Sequence, residues 1–256
     1  MIASYHNHTY RCNHATGSEE EFILHAINNK IKILGFSDHA PHCFFDALCS
    51  SRMKLAELKD YVYALTKLRE KYKDYIEIKI GLELEYFPFY HNTDLDIYKS
   101  SGIEYLILGQ HLVGYRTPGP CTNSFAQTTN NEKYTTYVNQ CIEALNTGHF
   151  TYFAHPDVFK YQGDNDFYQA ESDRLISAAV KLDIPLELNM LGLSTGRHYP
   201  NPLFWKRASA LGAKVILGPD AHETLRVYNA DENAAAHAFA KKYKLNLCES
   251  IKLKTL

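Results

Sequence analysis

The chain has 256 residues, 45% of them apolar, with 29 acidic and 27 basic side chains and a formal charge of −2. That is enough apolar material for a sizeable core, and charges this balanced and interspersed exclude the basic excess expected of a nucleic-acid or membrane-surface binder. No window approaches the roughly 18 apolar residues of a membrane span, and the opening MIASYHNHTYRC lacks the pattern of a secretory leader, so the cytoplasm is the expected address.

In chain order, short apolar runs alternate with longer amphipathic ones. Residues 2–6, 33–37, 76–84, 105–109, 152–154, 185–189 and 214–217 read as strands. Between them, residues 19–30, 54–73, 131–147, 166–182, 202–211 and 231–243 read as helices, with one or two helical turns over 94–101. Leu55, Leu58, Val62, Leu65 and Leu68 recur at three- and four-residue steps and so share one helical face. The charged run 67–73 reads as the wet side of the same helix. Asn201-Pro202 has the form of an N-cap followed by a first-turn proline, and Gly212 closes that helix. No repeat, low-complexity tract or linker divides the chain, so residues 1–256 are expected to form one domain. Strands separated by helices predict an α/β fold with parallel pairing: a TIM-like (β/α) barrel with one unit fewer than usual, its reactive residues at the carboxyl ends of strands.

Histidine placement meets that expectation. His6 and His8 end the first strand, and His14 lies in the loop after it. His39, preceded by Asp38, follows the second strand, Glu83 ends the third, His111 follows the fourth and His155 the fifth. Asp220 and His222 follow the seventh. On extended backbone, alternate side chains project to one side, so the imidazoles of His6-Asn7-His8 can reach one cation, and Asp220-Ala221-His222 repeats the geometry. A lone histidine beside a strand is generally a hydrogen-bonded structural residue. Nine such residues at one end of successive strands read instead as a polynuclear metal site, whose nitrogen and oxygen donors suit zinc, iron or manganese. His25, His91, His149 and His237 fall in helices or loops and read as surface residues. The six cysteines form no CxxC pair and are expected to be reduced, most of them buried. Cys12 and Cys43 lie near candidate ligands, but a thiolate would break the nitrogen-and-oxygen set.

These residues resemble the polymerase-and-histidinol-phosphatase (PHP) family of metallo-phosphoesterases nearly end to end. The resemblance is carried by the HxH pair, RCNHA, GFSDHA, GLELEY, LGQHL, FAHPD and GPDAH. It implies a distorted (β/α)7 barrel and three divalent or trivalent metal ions. His6, His8, Glu83 and Asp220 would hold one ion; Glu83 would bridge to a second, bound by His111 and His155; His14, His39 and His222 would hold the third. One departure is Ser4, where members often carry an acidic residue two positions before the pair; it bears on metal tuning. Within the family, GLELEYFP, HPDVF and LNMLGLSTGRHYPNP are most similar to stand-alone histidinol-phosphate phosphatases, and relatives act on other small phosphates.

The expected reaction is attack of a metal-bound hydroxide on a small phosphate ester, with Glu83, Asp220 and Arg197 as catalytic residues, Asp220 or a metal-bound water moving the proton. Arg197 is the first choice for gripping phosphate. Lys160, His42 and Glu85 are further candidate substrate contacts, with His198 and Tyr86 nearby. Residues 114–130, rich in Thr, Gly, Pro and Asn, could serve as a lid or specificity loop. A phosphodiesterase acting on nucleotides, an amidohydrolase-like enzyme acting on C–N bonds, and a non-catalytic regulator are the alternatives. The neutral charge weighs against the first, the DxH ending against the second and the complete ligand set against the third.

Overall fold

The computed structural model describes residues 1–44, 50–114 and 121–256. Cys49 and positions 115–120 of the long 114–130 segment lie outside the described residues. In chain order the elements are β1 (Ala3–Ser4), α1 (Glu19–Asn28), β2 (Ile33–His39), α2 (Leu58–Tyr72), β3 (Glu77–Leu84), α3 (His91–Ser101), β4 (Tyr105–Leu108), β5 (Leu112–Val113) and β6 (Thr122–Asn123). They continue with α4 (Asn131–Asn146), β7 (Phe150–Phe153), α5 (Asn165–Lys181), β8 (Leu186–Asn189), α6 (Met190–Ser194), α7 (Pro202–Ala210), β9 (Lys214–Gly218), α8 (Ala230–Tyr243) and β10 (Asn246–Cys248).

Eight strands form one parallel sheet in the order β1-β2-β3-β4-β7-β8-β9-β10, curled into a distorted TIM-like barrel with the helices outside. Past the ends of β1 and β9, HxH lies against DxH. Asn7 bridges Ala221, with His8 N donating to Ala221 O at 2.9 Å and Ala221 N to His6 O at 3.1 Å. Two short strands, β5 and β6, form an antiparallel hairpin beside the mouth.

Helix formation follows local chemistry. Ser18 closes a capping box with Glu21 at the start of α1, and Asn201 caps α7 ahead of Pro202. Gly212 sits just past α7 at φ 73°, a left-handed conformation open to glycine. Along α2, Leu58, Tyr61 and Leu65 are buried, while Leu55, Val62 and Leu68 pack against the same core from its margin.

Four readings change. A further strand, β10, pairs with β9, and its three-residue length gave too little pattern to detect. The link after β3 is the 11-residue α3, longer than the one or two turns expected. His91 is buried, with Nε2 2.9 Å from His149 Nδ1, because α3 turns it inward beneath Tyr86. Among the described cysteines, Cys12 and Cys141 are buried and Cys43 and Cys121 exposed, so burial is not the rule expected.

The tyrosine excess finds a use inside the barrel. Tyr5, Tyr105 and Tyr152 fill its interior with Ile107 and Ile216. The Tyr105 hydroxyl donates to Tyr5 O at 2.8 Å, so the buried polar tip has its partner. Ile251 and Leu253 of the C-terminal segment pack against this layer, and Tyr5 Oη donates to Ile251 O. Among the described residues, no helix is long and apolar enough to cross a membrane.

Candidate metal centre

Strand register places the first contacts. His39 of β2 lies opposite Glu83 of β3, bringing His39 Nδ1 to 2.8 Å from Glu83 Oε2. The same oxygen faces His6 Nε2 at 3.6 Å and His8 Nε2 at 3.7 Å. Glu83 Oε1 faces the other way, toward His155 Nε2 at 2.8 Å and His111 Nε2 at 3.4 Å. Asp220 Oδ1 lies 3.1 Å from His8 Nε2, 3.3 Å from His222 Nδ1 and 3.5 Å from His6 Nε2. His14 joins through ring contacts with His39 and His222. All nine sequence-selected residues therefore converge, with Glu83 central.

Potential ligand atoms gather within 4.8 Å of one another in overlapping groups, including His6–His8–Glu83, His6–His155–Asp220, His39–Glu83–His111 and His14–His39–His222. Cys12 falls in a further group with His8 and His222. Burial, reinforced by Asp38, pushes its thiol up to about 12.

The donors fit a metal cluster. His6 Nε2, His8 Nε2, Glu83 Oε2 and His222 Nε2 are buried without a hydrogen bond. A set of unsatisfied polar atoms aimed at one another is costly in a metal-free protein but suits bound cations. For Glu83, Asp220, His39 and His222 the protonation states agree. Burial disfavours the charged form of Glu83, yet His111, His39 and His6 hold its carboxyl well below the usual range. Asp220 is held low in the same way by His6, His8 and His222. Burial and neighbouring His8 lower His39 to about 4 and His222 to about 2, leaving both neutral, as metal ligands must be. His6 and His8 are raised despite burial, by Glu187, Asp220 and Glu83 for the first and by Asp220 and Asp38 for the second. The backbone is strained here too: His155 and Asp220 adopt φ values of 32° and 50°, a cost generally tolerated where function requires it.

Sequence reading missed the groups behind these candidate ligands. Glu187 of β8 is fully buried, with Oε2 2.7 Å from His6 Nδ1 and Oε1 accepting from Asn189 Nδ2 at 2.9 Å. Asn189 also donates to Asp220 Oδ2 at 3.1 Å. The departure at Ser4 is accommodated: its hydroxyl donates to Asn7 Oδ1, while the carboxylate beside His6 comes from across the barrel. Glu187 lies two residues before Asn189 in LELN, a pattern of alternate polar residues in a buried strand that could have signalled it. Glu187→Gln is expected to cut metal affinity and kcat/KM about ten- to hundredfold; an unchanged metal titration would remove Glu187 from this role.

The centre forms the floor of a cavity of about 540 Å³. Arg197 lines it, its Nη1 donating to Tyr199 Oη at 2.6 Å. Glu85 lines it as well, but Arg52 grips both carboxylate oxygens at 2.8 and 2.9 Å, and Oε1 lies 3.2 Å from His111 Nδ1. The structure does not bring the other substrate candidates to this cavity. His42 is buried between Glu85 and Asp94. Lys160 is absent from the lining, His198 pairs with Val158 O, and Tyr86 donates to Glu143. Arg52, Arg226 and Phe125, not singled out from the sequence, are present in the lining.

A model of the PHP domain family matches residues 4–191. A protein of Deinococcus radiodurans named a probable histidinol-phosphatase is 26% identical over 227 residues, 85% of each chain. One of Clostridium acetobutylicum named a probable phosphatase is 27% identical over 232 residues, 89% of this chain and 81% of its own. The solved histidinol phosphate phosphatase of Lactococcus lactis, complexed with zinc, L-histidinol and phosphate, superposes with a TM-score of 0.75 at 18% identity, covering 100% of this chain and 98% of that one.

Proposed function

The chain belongs to the PHP domain family, and from that premise we propose that it is a metal-dependent phosphomonoesterase hydrolysing L-histidinol phosphate to L-histidinol and inorganic phosphate. The observation carrying this reading is that seven of the nine converging residues line one cavity with Arg197, with His6 and His8 buried directly behind them, and that the cavity is of a size for a small ester. The names of the Deinococcus and Lactococcus relatives support the substrate.

His6, His8, Glu83 and Asp220 would hold one cation, Glu83 with His111 and His155 a second, and His14, His39 and His222 a third. Bound there, zinc, iron or manganese neutralises phosphate charge and acidifies water. Arg197, steered by Tyr199, grips the remaining phosphate oxygens with its planar fork. Asp220, held ionised among His6, His8 and His222, is the candidate among the protein groups for moving the proton. Positioning and electrostatics then account for most of the rate, as in phosphoryl transfer generally.

A phosphate-release screen of metal-replete protein against L-histidinol phosphate, sugar phosphates, nucleotides and a phosphodiester tests this. L-histidinol phosphate should give the highest kcat/KM, and Arg197→Ala should lower that value about a hundredfold. A higher kcat/KM on any other ester would overturn the substrate, and unchanged kinetics in the variant would move the phosphate grip elsewhere.

A further inference from the structure

Phe125 is 40% exposed, yet it lines the cavity over the metal centre. Its ring lies nearly parallel to His111, 9° between planes and 5.8 Å between centroids, and 6.3 Å from Tyr199. The backbone around it is tied down. Ser124 N donates to His111 O at 2.8 Å, Ser124 Oγ to Gln110 O at 2.8 Å, and Phe125 N to Asn123 Oδ1 at 2.8 Å. Lys160 N donates to Ser124 O from the other side, at 2.8 Å. An aromatic side chain held this firmly while leaving so much of its surface wet gains free energy only when something apolar covers it.

We propose that Phe125 is a stacking platform for a flat, π-bearing leaving group, making the ring of the alcohol, and not only its phosphate, a recognised part of the substrate. Phosphate is drawn to the ligand set and Arg197, so the alcohol must extend along the remaining wall, where Phe125 and the apolar Leu112 and Leu191 offer contact. A planar ring laid on Phe125 continues the stack begun by His111, in an offset arrangement that aromatic pairs favour. The proposal rests on the phosphomonoesterase reading above and narrows its substrate class.

The test compares L-histidinol phosphate with ethanolamine phosphate, which keeps the amino-alcohol phosphate and lacks the ring. In Phe125→Ala, the ratio of kcat/KM for the two esters should fall about tenfold, mostly through KM, a change equivalent to one stacking contact. Phe125→Tyr, which keeps the π face, should restore the ratio, whereas Phe125→Leu should not. Equal fractional losses on both esters would show that Phe125 only props His111 and would overturn the proposal, as would an unchanged ratio. Wild-type protein releasing phosphate from neither ester would instead bring down the underlying reading, a failure visible before any variant is made.

Discussion

Glu83→Gln should leave the barrel folded while stripping cations and lowering kcat/KM at least about a thousandfold. The substitution keeps the volume of a side chain that is fully buried, so packing is preserved. It removes the negative charge that five imidazoles face, those of His6, His8 and His39 at one oxygen and those of His111 and His155 at the other. An amide nitrogen in place of either oxygen presents N–H donors where a lone pair is needed. A thousandfold loss is about 4 kcal/mol of transition-state stabilisation, in line with the several kcal/mol bound metal supplies. Elemental analysis, phosphate release and circular dichroism on one preparation check it. Near-normal turnover would remove Glu83 from the centre of the account.

The second large effect comes from a residue with no functional group. A Cβ built on Gly109 would lie 2.0 Å from Glu83 Oε1 and 2.5 Å from its Cδ. Gly109 cannot retreat freely, because its N–H donates to Leu84 O across the strands at 3.1 Å. The carboxylate must therefore move, and any movement takes it away from His155 and His111. Gly109→Ala is expected to lower kcat/KM about a hundredfold, the penalty for displacing a reacting group by roughly an ångström. Metal content should fall with it, and the melting temperature of metal-free protein should change little. A variant with normal metal content and rate would show that Glu83 can shift without loss. Gly218 plays a similar part behind Glu187, whose Oε2 lies 2.1 Å from where its Cβ would be.

The nine converging residues were legible because they are chemically distinctive and fall at or just past strand ends, and strand ends can be read from apolar runs. The barrel was legible for the same reason: helices and strands alternate with clear period changes. What escaped depends on proximity across the fold. Glu187 becomes meaningful only when β8 lies close enough to His6 for a 2.7 Å contact. Gly109 sat inside the LGQHL motif without a visible purpose until Glu83 was seen pressing on it. His42, attractive by its position after the second strand, is buried between Asp94 and Glu85, and Arg52 claims Glu85 from a stretch with no strong pattern of its own. Side-chain direction in loops is set by such distant partners, so the lining of the cavity was less readable than the histidine and carboxylate cluster.

The bridge between Asn7 and Ala221 also bears on how the protein is made. His6 and His8 leave the ribosome more than 200 residues before Asp220 and His222. Closing so long a loop is slow, since its entropy is lost before the contact forms. A nascent chain can therefore present at most a partial donor set for most of its synthesis. Cation capture becomes a late event, coupled to the clasping of the segments that follow β1 and β9, and metal supplied during translation has its complete destination only once that clasp has formed.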